Sequence, residues 1–364
     1  MQQNKKNEKA DRASRLFTAL DACADFYRRE GRPLPWRRDR DPYHVFLSEV
    51  MLQQTRVEAV IPYFERFLSL FPTVADLAFA EEERVLKAWE GLGYYSRARN
   101  LKKGAQRVVS DFGGVFPNTY EALLSLPAVG AYTAGAIGSI SFGLPTPAID
   151  GNAMRIYTRL FADGRNIGEE AFRREVTALF RAVYPAGDRA GETTQGLMEV
   201  GQRFCLPVGA PKCEGCPLRS LCEVGRGKAS YTDFPHKEKK KPRRIERRTL
   251  LLLTDGRSFY LCRRPDTGLL AGLWEFPALD GEHSVEGALA GARALGFSPE
   301  GGIPAVSGKH IFTHIEWHMQ SVMILCRGEA PRGFVAATPD EMAEKYPIPS
   351  AFRVFLDFIR ENGK

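Results

Sequence analysis

Apolar residues recur at three- and four-residue spacing in 43–55, 57–70, 81–91 and 97–110, the period of helices with one buried face. Turns punctuate them at Phe71-Pro72, Gly91-Leu92-Gly93, Gly113-Gly114 and Gly143. From residue 249 the pattern changes to strands: TLLLL at 249–253, an Asp255-Gly256 turn and SFYLC at 258–262 read as a hairpin. Further strand is expected at 319–326, and helices at 284–295 and 349–361. The chain therefore reads as multidomain: a polar tail at 1–14, an all-α domain at 15–225, a linker at 226–248 and an α+β domain at 249–364. No internal repeat of fixed period is present.

Length and charge sharpen this outline. At roughly 150 residues per domain, 364 residues suit two or three domains. A net charge of +7 suggests a polyanionic partner. Much of it is local, because 235–248 (PHKEKKKPRRIERR) holds eight basic and two acidic residues. The bland reading is a solvated linker, and the sharper one is contact with phosphate. Residues 122–149 carry no charge, yet Pro127, Pro145, Pro147 and four glycines make them a poor membrane-spanning helix. No membrane association is expected. The N-terminal MQQNKKNEKADRAS has no apolar core of a secretory signal, which points to a cytoplasmic protein.

Seven cysteines without such a signal argue against a disulfide framework, and four of them fall within 205–222. Their spacing is Cys205-x7-Cys213-x2-Cys216-x5-Cys222. Zinc sites usually join two Cys-x2-Cys knuckles, and here there is one; four thiolates in a short loop suit a compact iron–sulfur cluster better. Zinc, or no metal, stays open on spacing alone. A doubly negative cluster would offset Lys212 and Arg219 and let the loop present cations to phosphate.

LPAVGAYTAGAI (126–137) reads as helix, tight turn, helix, with Gly130 supplying the turn and Ala134 and Gly135 allowing close packing. Backbone N–H groups at such a turn make a sequence-independent phosphate site, although glycine turns are common in any α protein. Glu49 has Val45, Phe46, Leu52 and Gln53 as its helical neighbours. Desolvated there, it would titrate high enough to serve as a general acid; at the wet edge of the helix it would be unremarkable in its chemistry. Asp150 precedes GNAMRIYTRL, where a carboxylate caps a helix and can also face a developing cation.

Taken together and in this order, SEVMLQQT around Glu49, the Gly91–Tyr95 turn, LPAVGAYTAGAI, AIDGN around Asp150 and the cysteine loop resemble the helix-hairpin-helix DNA glycosylases, most closely the adenine DNA glycosylase (MutY) family. RRPDTGLLAGLWEFP (263–277) resembles that family's C-terminal domain, so the likeness covers nearly the whole chain. The resemblance implies an all-α helix-hairpin-helix glycosylase domain with a [4Fe-4S] loop on Cys205, Cys213, Cys216 and Cys222, followed by an α+β Nudix-like domain. It further implies hydrolysis of the N-glycosidic bond of adenine opposite 8-oxoguanine or guanine, on a base flipped out of double-stranded DNA.

Residue by residue, the resemblance makes Glu49 the acid that protonates adenine and Asp150 the carboxylate that stabilises the sugar cation, with Asn152 arranging groups around it. Tyr132 stands where the endonuclease III branch has a Schiff-base lysine, so base removal without strand cleavage is expected; its bland role is core packing. Gln54 and Tyr94 match positions that wedge into the duplex and hold the opposite base, and Leu52, Gln53, Val129 and Gly130 are further substrate- or DNA-binding positions. Trp36 and Arg37 match the adenine pocket, though either aromatic, Trp36 or Tyr94, could simply pack. Phe312-Thr313-His314 stands where the family reads 8-oxoguanine with Phe-Ser-His; threonine keeps the hydroxyl and adds a methyl. The first cysteine gap is seven residues where six is usual.

Two further sites are disfavoured. A Nudix pyrophosphohydrolase needs several carboxylates on one helix, and SVEGALAGARALGF offers only Glu286. His310, His314 and His318 would gather a metal on a helix, but a strand and loop would scatter them. A monomer acting on double-stranded DNA in a bacterial cytoplasm, associated with the nucleoid, is the expectation.

Overall fold

The structure, a computed structural model, describes residues 2–238 and 242–362; Lys239, Lys240 and Lys241 of the basic run lie outside the described residues. Two compact units divide the chain: residues 1–79 with 100–239, and residues 80–99 with 240–364. The helical region comprises α1 (Gln2–Glu30), α2 (Pro42–Leu52), α3 (Val57–Leu70), α4 (Val74–Phe79), α5 (Glu82–Ala88), α6 (Ser96–Phe112), α7 (Tyr120–Leu124), α8 (Ala131–Phe142), α9 (Gly151–Phe161), α10 (Glu170–Val183) and α11 (Asp188–Arg203).

In the first unit the helical period decides what is buried. α3 hides Val57, Val60, Phe64 and Phe67, and α10 hides Phe172, Val176, Leu179 and Phe180. Leu16, Leu20 and Cys23 of α1 join Met154 and Tyr157 of α9, the α10 stripe, and Leu197 and Val200 of α11 in one core. α8 is different, being buried from Thr133 to Ile140 on every side and packed against α2, α7 and α11. That explains the uncharged stretch at 122–149 as a central helix; no helix among the described residues is long and apolar enough to cross a membrane. Residues 2–14, read above as a polar tail, are the opening turns of α1. Arg12 Nη1 donates to Asp163 Oδ2 (3.0 Å) and Tyr157 Oη (3.3 Å), fastening that helix to the domain.

The second unit holds β1 (Arg244–Thr254), β2 (Phe259–Arg263), β3 (Trp274–Glu275), β4 (Ala278–Asp280), α12 (Val285–Ala294), β5 (Ser298–Ile311), β6 (Ile315–Arg327), β7 (Phe334–Ala337), α13 (Pro339–Glu344) and α14 (Arg353–Asn362). The sheet runs β3-β2-β1-β6-β5, with β4 also on β1 and β7 on β2. β1 and β6 are parallel and the other pairs antiparallel. A strand covered on both faces reads as a continuous apolar run. Accordingly Leu250 and Leu252 face a core with Phe355 and Ile359 of α14, while Leu251 and Leu253 face Ala288 and Ala292 of α12.

Two further boundaries and one strand differ from expectation. Residues 244–248, read as linker, begin β1 and pair with Ile315–Met319; Arg248 lies 4.2 Å over the Trp317 ring, and Trp317 Nε1 donates to Glu246 (2.8 Å). Long β5 went unexpected because Gly301, Gly302, Pro299 and Pro304 contradict strand propensity, and its partner β6 imposes the pairing. Residues 80–99 belong to the second unit rather than to a single 15–225 domain. Lys87 Nζ donates to the carbonyls of Tyr346 (3.2 Å) and Met342 (3.4 Å), and Ile348 N donates to Glu90 Oε1 (3.1 Å).

Candidate active site

α2 opens on Asp41, whose side chain accepts from Tyr43 N (2.8 Å), with Pro42 in the first turn. Every residue from Val45 to Met51 is buried, since α2 packs against both α3 and α8. Glu49 therefore does not sit at a wet edge; it is 5% exposed. Burial pushes its carboxyl up to about 7, and neighbouring Asp150 adds to this, while the Tyr132 hydrogen bond and the Arg37 charge pull the other way. Such a group is half protonated near neutrality, as a general acid requires.

Tyr132, in the first turn of α8, donates its hydroxyl to Glu49, and burial together with both carboxylates raises its own pKa. Asp150 caps α9: Oδ1 accepts from Asn152 N and Ala153 N (both 2.9 Å), and Oδ2 accepts from Asn152 Nδ2 (2.6 Å). Capping thus fixes the direction of the carboxylate. Asn152 Oδ1 in turn accepts from Arg155 Nη2 (2.9 Å), whose Nε donates to the Cys205 carbonyl (2.8 Å). A continuous hydrogen-bonded chain links Asp150 to the cysteine loop.

Trp36, Arg37, Glu49 and Leu52 line one cleft, together with Val57, Gln195, Met198 and Gln202. Trp36 stacks edge-on to Phe64, with ring centroids 5.5 Å apart. Sequence reasoning missed the α11 contribution. Its signal was there: Gln195, Met198 and Gln202 repeat at three and four residues and so share one helix face.

The proposed DNA-facing turns carry unusual backbone. Gln54 (φ 58°), Tyr94 (φ 48°) and Ala128 (φ 67°) are all left-handed, a conformation that costs non-glycine residues about 1–3 kcal/mol and clusters at functional sites. Gly130 does not supply the turn by a positive φ, as expected; its φ is −93°, and Ala128 makes the reversal. What glycine does at 130 is leave open space over the first amides of α8. Gly135 is the close approach: a Cβ there would collide with the Pro147 carbonyl. Val129 is buried, and Gln53 is half-buried.

Tyr94 and the Phe312–His314 loop form a separate group in the second unit. Tyr94 is 47% exposed, and its hydroxyl shares a 2.7 Å hydrogen bond with Thr313 Oγ1. Phe312 packs edge-on to Trp317 (4.9 Å), and its carbonyl accepts from Arg243 Nε (3.1 Å). His314 is exposed, with its carbonyl accepting from Arg244 N (3.2 Å). His310, His314 and His318 fall on β5, the turn and β6, as the strand reading required, and His318 Nε2 pairs with Glu316 (2.7 Å).

Cys205, Cys213, Cys216 and Cys222 all line one apolar cavity with Ile156, Val200, Phe204 and Leu218. Among the described residues no three Cys, His, Asp or Glu side chains converge as a single ion needs. Four cysteine sulfurs around one apolar cavity are a donor set that fits a polynuclear cluster. Burial raises the Cys213 and Cys222 thiols and pushes Cys216 up to about 12, so thiolates there need a cationic core. Arg159 Nη1 already donates to Cys205 Sγ (3.4 Å). Within the first gap residues 207–210 are exposed, and the loop is closed at its neck by Lys212 N donating to the Phe204 carbonyl (2.8 Å).

Residues 47–182 match the family model for the HhH-GPD superfamily of base excision DNA repair proteins, and 248–358 match a NUDIX domain model. A buried Glu49, a capping Asp150 and the hairpin on this helical scaffold define a base-excision DNA glycosylase of the helix-hairpin-helix class. The adenine DNA glycosylase of Rattus norvegicus is 36% identical over 366 residues, covering 84% of this chain and 70% of its own. That of Buchnera aphidicola (subsp. Acyrthosiphon pisum, strain APS) is 30% identical, with coverage of 85% and 86%. The structure of a thermostable thymine-DNA glycosylase superposes with a TM-score of 0.50 at 26% identity, covering 61% of this chain and 99% of that one. The chain belongs to the adenine DNA glycosylase (MutY) family.

Proposed function

We propose that the protein removes adenine mispaired with 8-oxoguanine or guanine from double-stranded DNA and leaves the strand intact. The carrying observation is the Glu49 carboxyl, held near neutral titration, hydrogen-bonded by Tyr132 and close to Asp150. Adenine enters the cleft of Trp36, Arg37, Leu52 and Gln195. Glu49 gives its proton to N7, which weakens the bond between the sugar C1′ and N9. As that bond breaks, positive charge grows on the sugar and Asp150 faces it. Water then adds to C1′, and its proton leaves to the carboxylates. Tyr132 offers a phenol rather than an amine, so no imine forms with the sugar and no strand cleavage follows.

Phe312, Thr313 and His314 are the reading loop for the opposite base, and Gln54 and Tyr94 the wedge. Cys205, Cys213, Cys216 and Cys222 would hold one [4Fe-4S] cluster, which when bound cross-links the loop and balances its charge. Purified protein should be brown, with about four irons per chain; stoichiometric zinc without iron overturns the cluster.

Duplexes with adenine opposite 8-oxoguanine, adenine opposite guanine, and thymine glycol, each with and without alkali, test the reaction. Breaks at the adenine duplexes after alkali alone are expected. Breaks without alkali sink the base-only reading, and no product from either adenine duplex sinks the substrate. Glu49→Gln should abolish release while duplex affinity survives in a gel-shift titration.

A further inference from the structure

Behind the cleft lies a carboxylate that this chemistry does not use. Glu199 of α11 is 0% exposed, and it accepts from Arg32 Nε (2.9 and 3.0 Å) and Arg37 Nη1 (2.8 Å), with Arg203 3.6 Å away. A buried charge is tolerated only when so paired. Its partners lead into the cleft. Arg37 lines it directly, and Arg32 Nη2 donates to Oε1 of Gln202, a lining residue. The Arg37 guanidinium lies 5.3 Å over the Tyr27 ring, and the Tyr27 hydroxyl donates to Oε1 of Gln195 (2.7 Å). Both glutamine carbonyls are thus engaged, which leaves the amide N–H groups of these two lining residues as the donors available to a bound base. Adenine presents ring nitrogens as acceptors, whereas guanine carries a donor at N1.

We infer that Glu199 is the positioning residue of the adenine cleft, anchoring Arg37 and, through Arg32 and Tyr27, turning Gln202 and Gln195 as donors toward the ring nitrogens of the base. This rests on the adenine-glycosylase reading above. It also ties Glu199 to the acid. Arg37, Tyr132 and Asp150 are the groups that bear electrostatically on Glu49, and Glu199 neutralises the first of them. Glu199→Gln leaves the shape but strips the compensating charge, so Arg37 acts undiminished on Glu49 and favours its ionised form. The alkaline limb of base release then moves to lower pH. A purely architectural ion pair would change stability and the fraction of active protein, and leave the limb in place.

The test compares single-turnover adenine release across pH 5 to 9, with active-site titration, for the wild-type, Glu199→Gln and Arg32→Gln/Glu199→Gln holoproteins. The double variant removes one charge of each sign, buried Glu199 and its partly buried partner Arg32, which guards against misfolding. Release per active molecule above the limb should fall about tenfold for each unit the limb moves, with duplex affinity retained. A wild-type limb and rate constant in a folded variant overturns the inference, as does a limb displaced upward. If the wild type releases no adenine, the substrate reading fails instead. Glu49 titration can then still be followed as the pH-dependent difference in melting temperature between each protein and its Glu49→Gln counterpart. An unmoved titration overturns the role of Glu199.

Discussion

At Glu49 the folded chain accommodates the protonated carboxyl, because burial raises its pKa from 4.5 to about 7. A raised acid contributes stability that is complete below its ordinary value and is lost as pH climbs through the folded one. Glu49→Gln should therefore melt several degrees above wild type at pH 8 and alongside it at pH 4; equal melting at both would mean the side chain is solvated. Tyr132→Phe removes a hydrogen bond that favours the ionised form, so the alkaline limb of base release should move to higher pH while the maximum rate falls. A limb that stays put would separate Tyr132 from the acid. Local sequence left Glu49 suspended between wet edge and core, because α8, the helix that covers it, lies some eighty residues further along. Gln195 and Gln202 were harder still: their spacing puts them on one helix face, but the cleft that face meets is built by residues from the far N-terminal part of the chain.

At the scale of elements, the hairpin and the cap were legible because glycines, prolines and an aspartate state their backbone preferences locally. The location of the reversal was not, since the strain rests on Ala128 rather than on Gly130. Two substitutions separate the roles. Gly135→Ala drives a methyl into the Pro147 carbonyl and should cost about 1–3 kcal/mol in thermal or denaturant unfolding. Gly130→Ala meets open space at an ordinary φ, so stability should hold. Its affinity for a non-cleavable duplex should nevertheless drop, because the methyl covers amides that phosphate must approach. Unchanged affinity would remove the hairpin from the DNA face. Long β5 was illegible for the opposite reason, as its glycines and prolines pair only because β6 is there to receive them.

For the whole molecule, residues 80–99 and the C-terminal strands make one unit, a partnership between segments about 150 residues apart that no local pattern announces. Lys87 and Glu90 fasten it from the helical side, and the Tyr94 to Thr313 bond ties the 80–99 segment to the Phe312–His314 loop within it. Lys87→Met with Glu90→Gln should therefore reduce the preference for adenine opposite 8-oxoguanine over adenine opposite guanine, measured as a ratio of single-turnover rates. Lower melting with an intact ratio would make the contacts purely structural.

That partnership also decides where the gene can be cut and rejoined. A chimera with a single crossover near 248 would marry the C-terminal third of one relative to the 80–99 segment of another. Lys87, Glu90 and Tyr94 would then meet foreign acceptors. Exchange that respects the folded unit needs three junctions, after Phe79, after Arg99 and near 240, so that both stretches of chain travel together. Recombination between family members should succeed far more often when 80–99 and the C-terminal third come from the same parent.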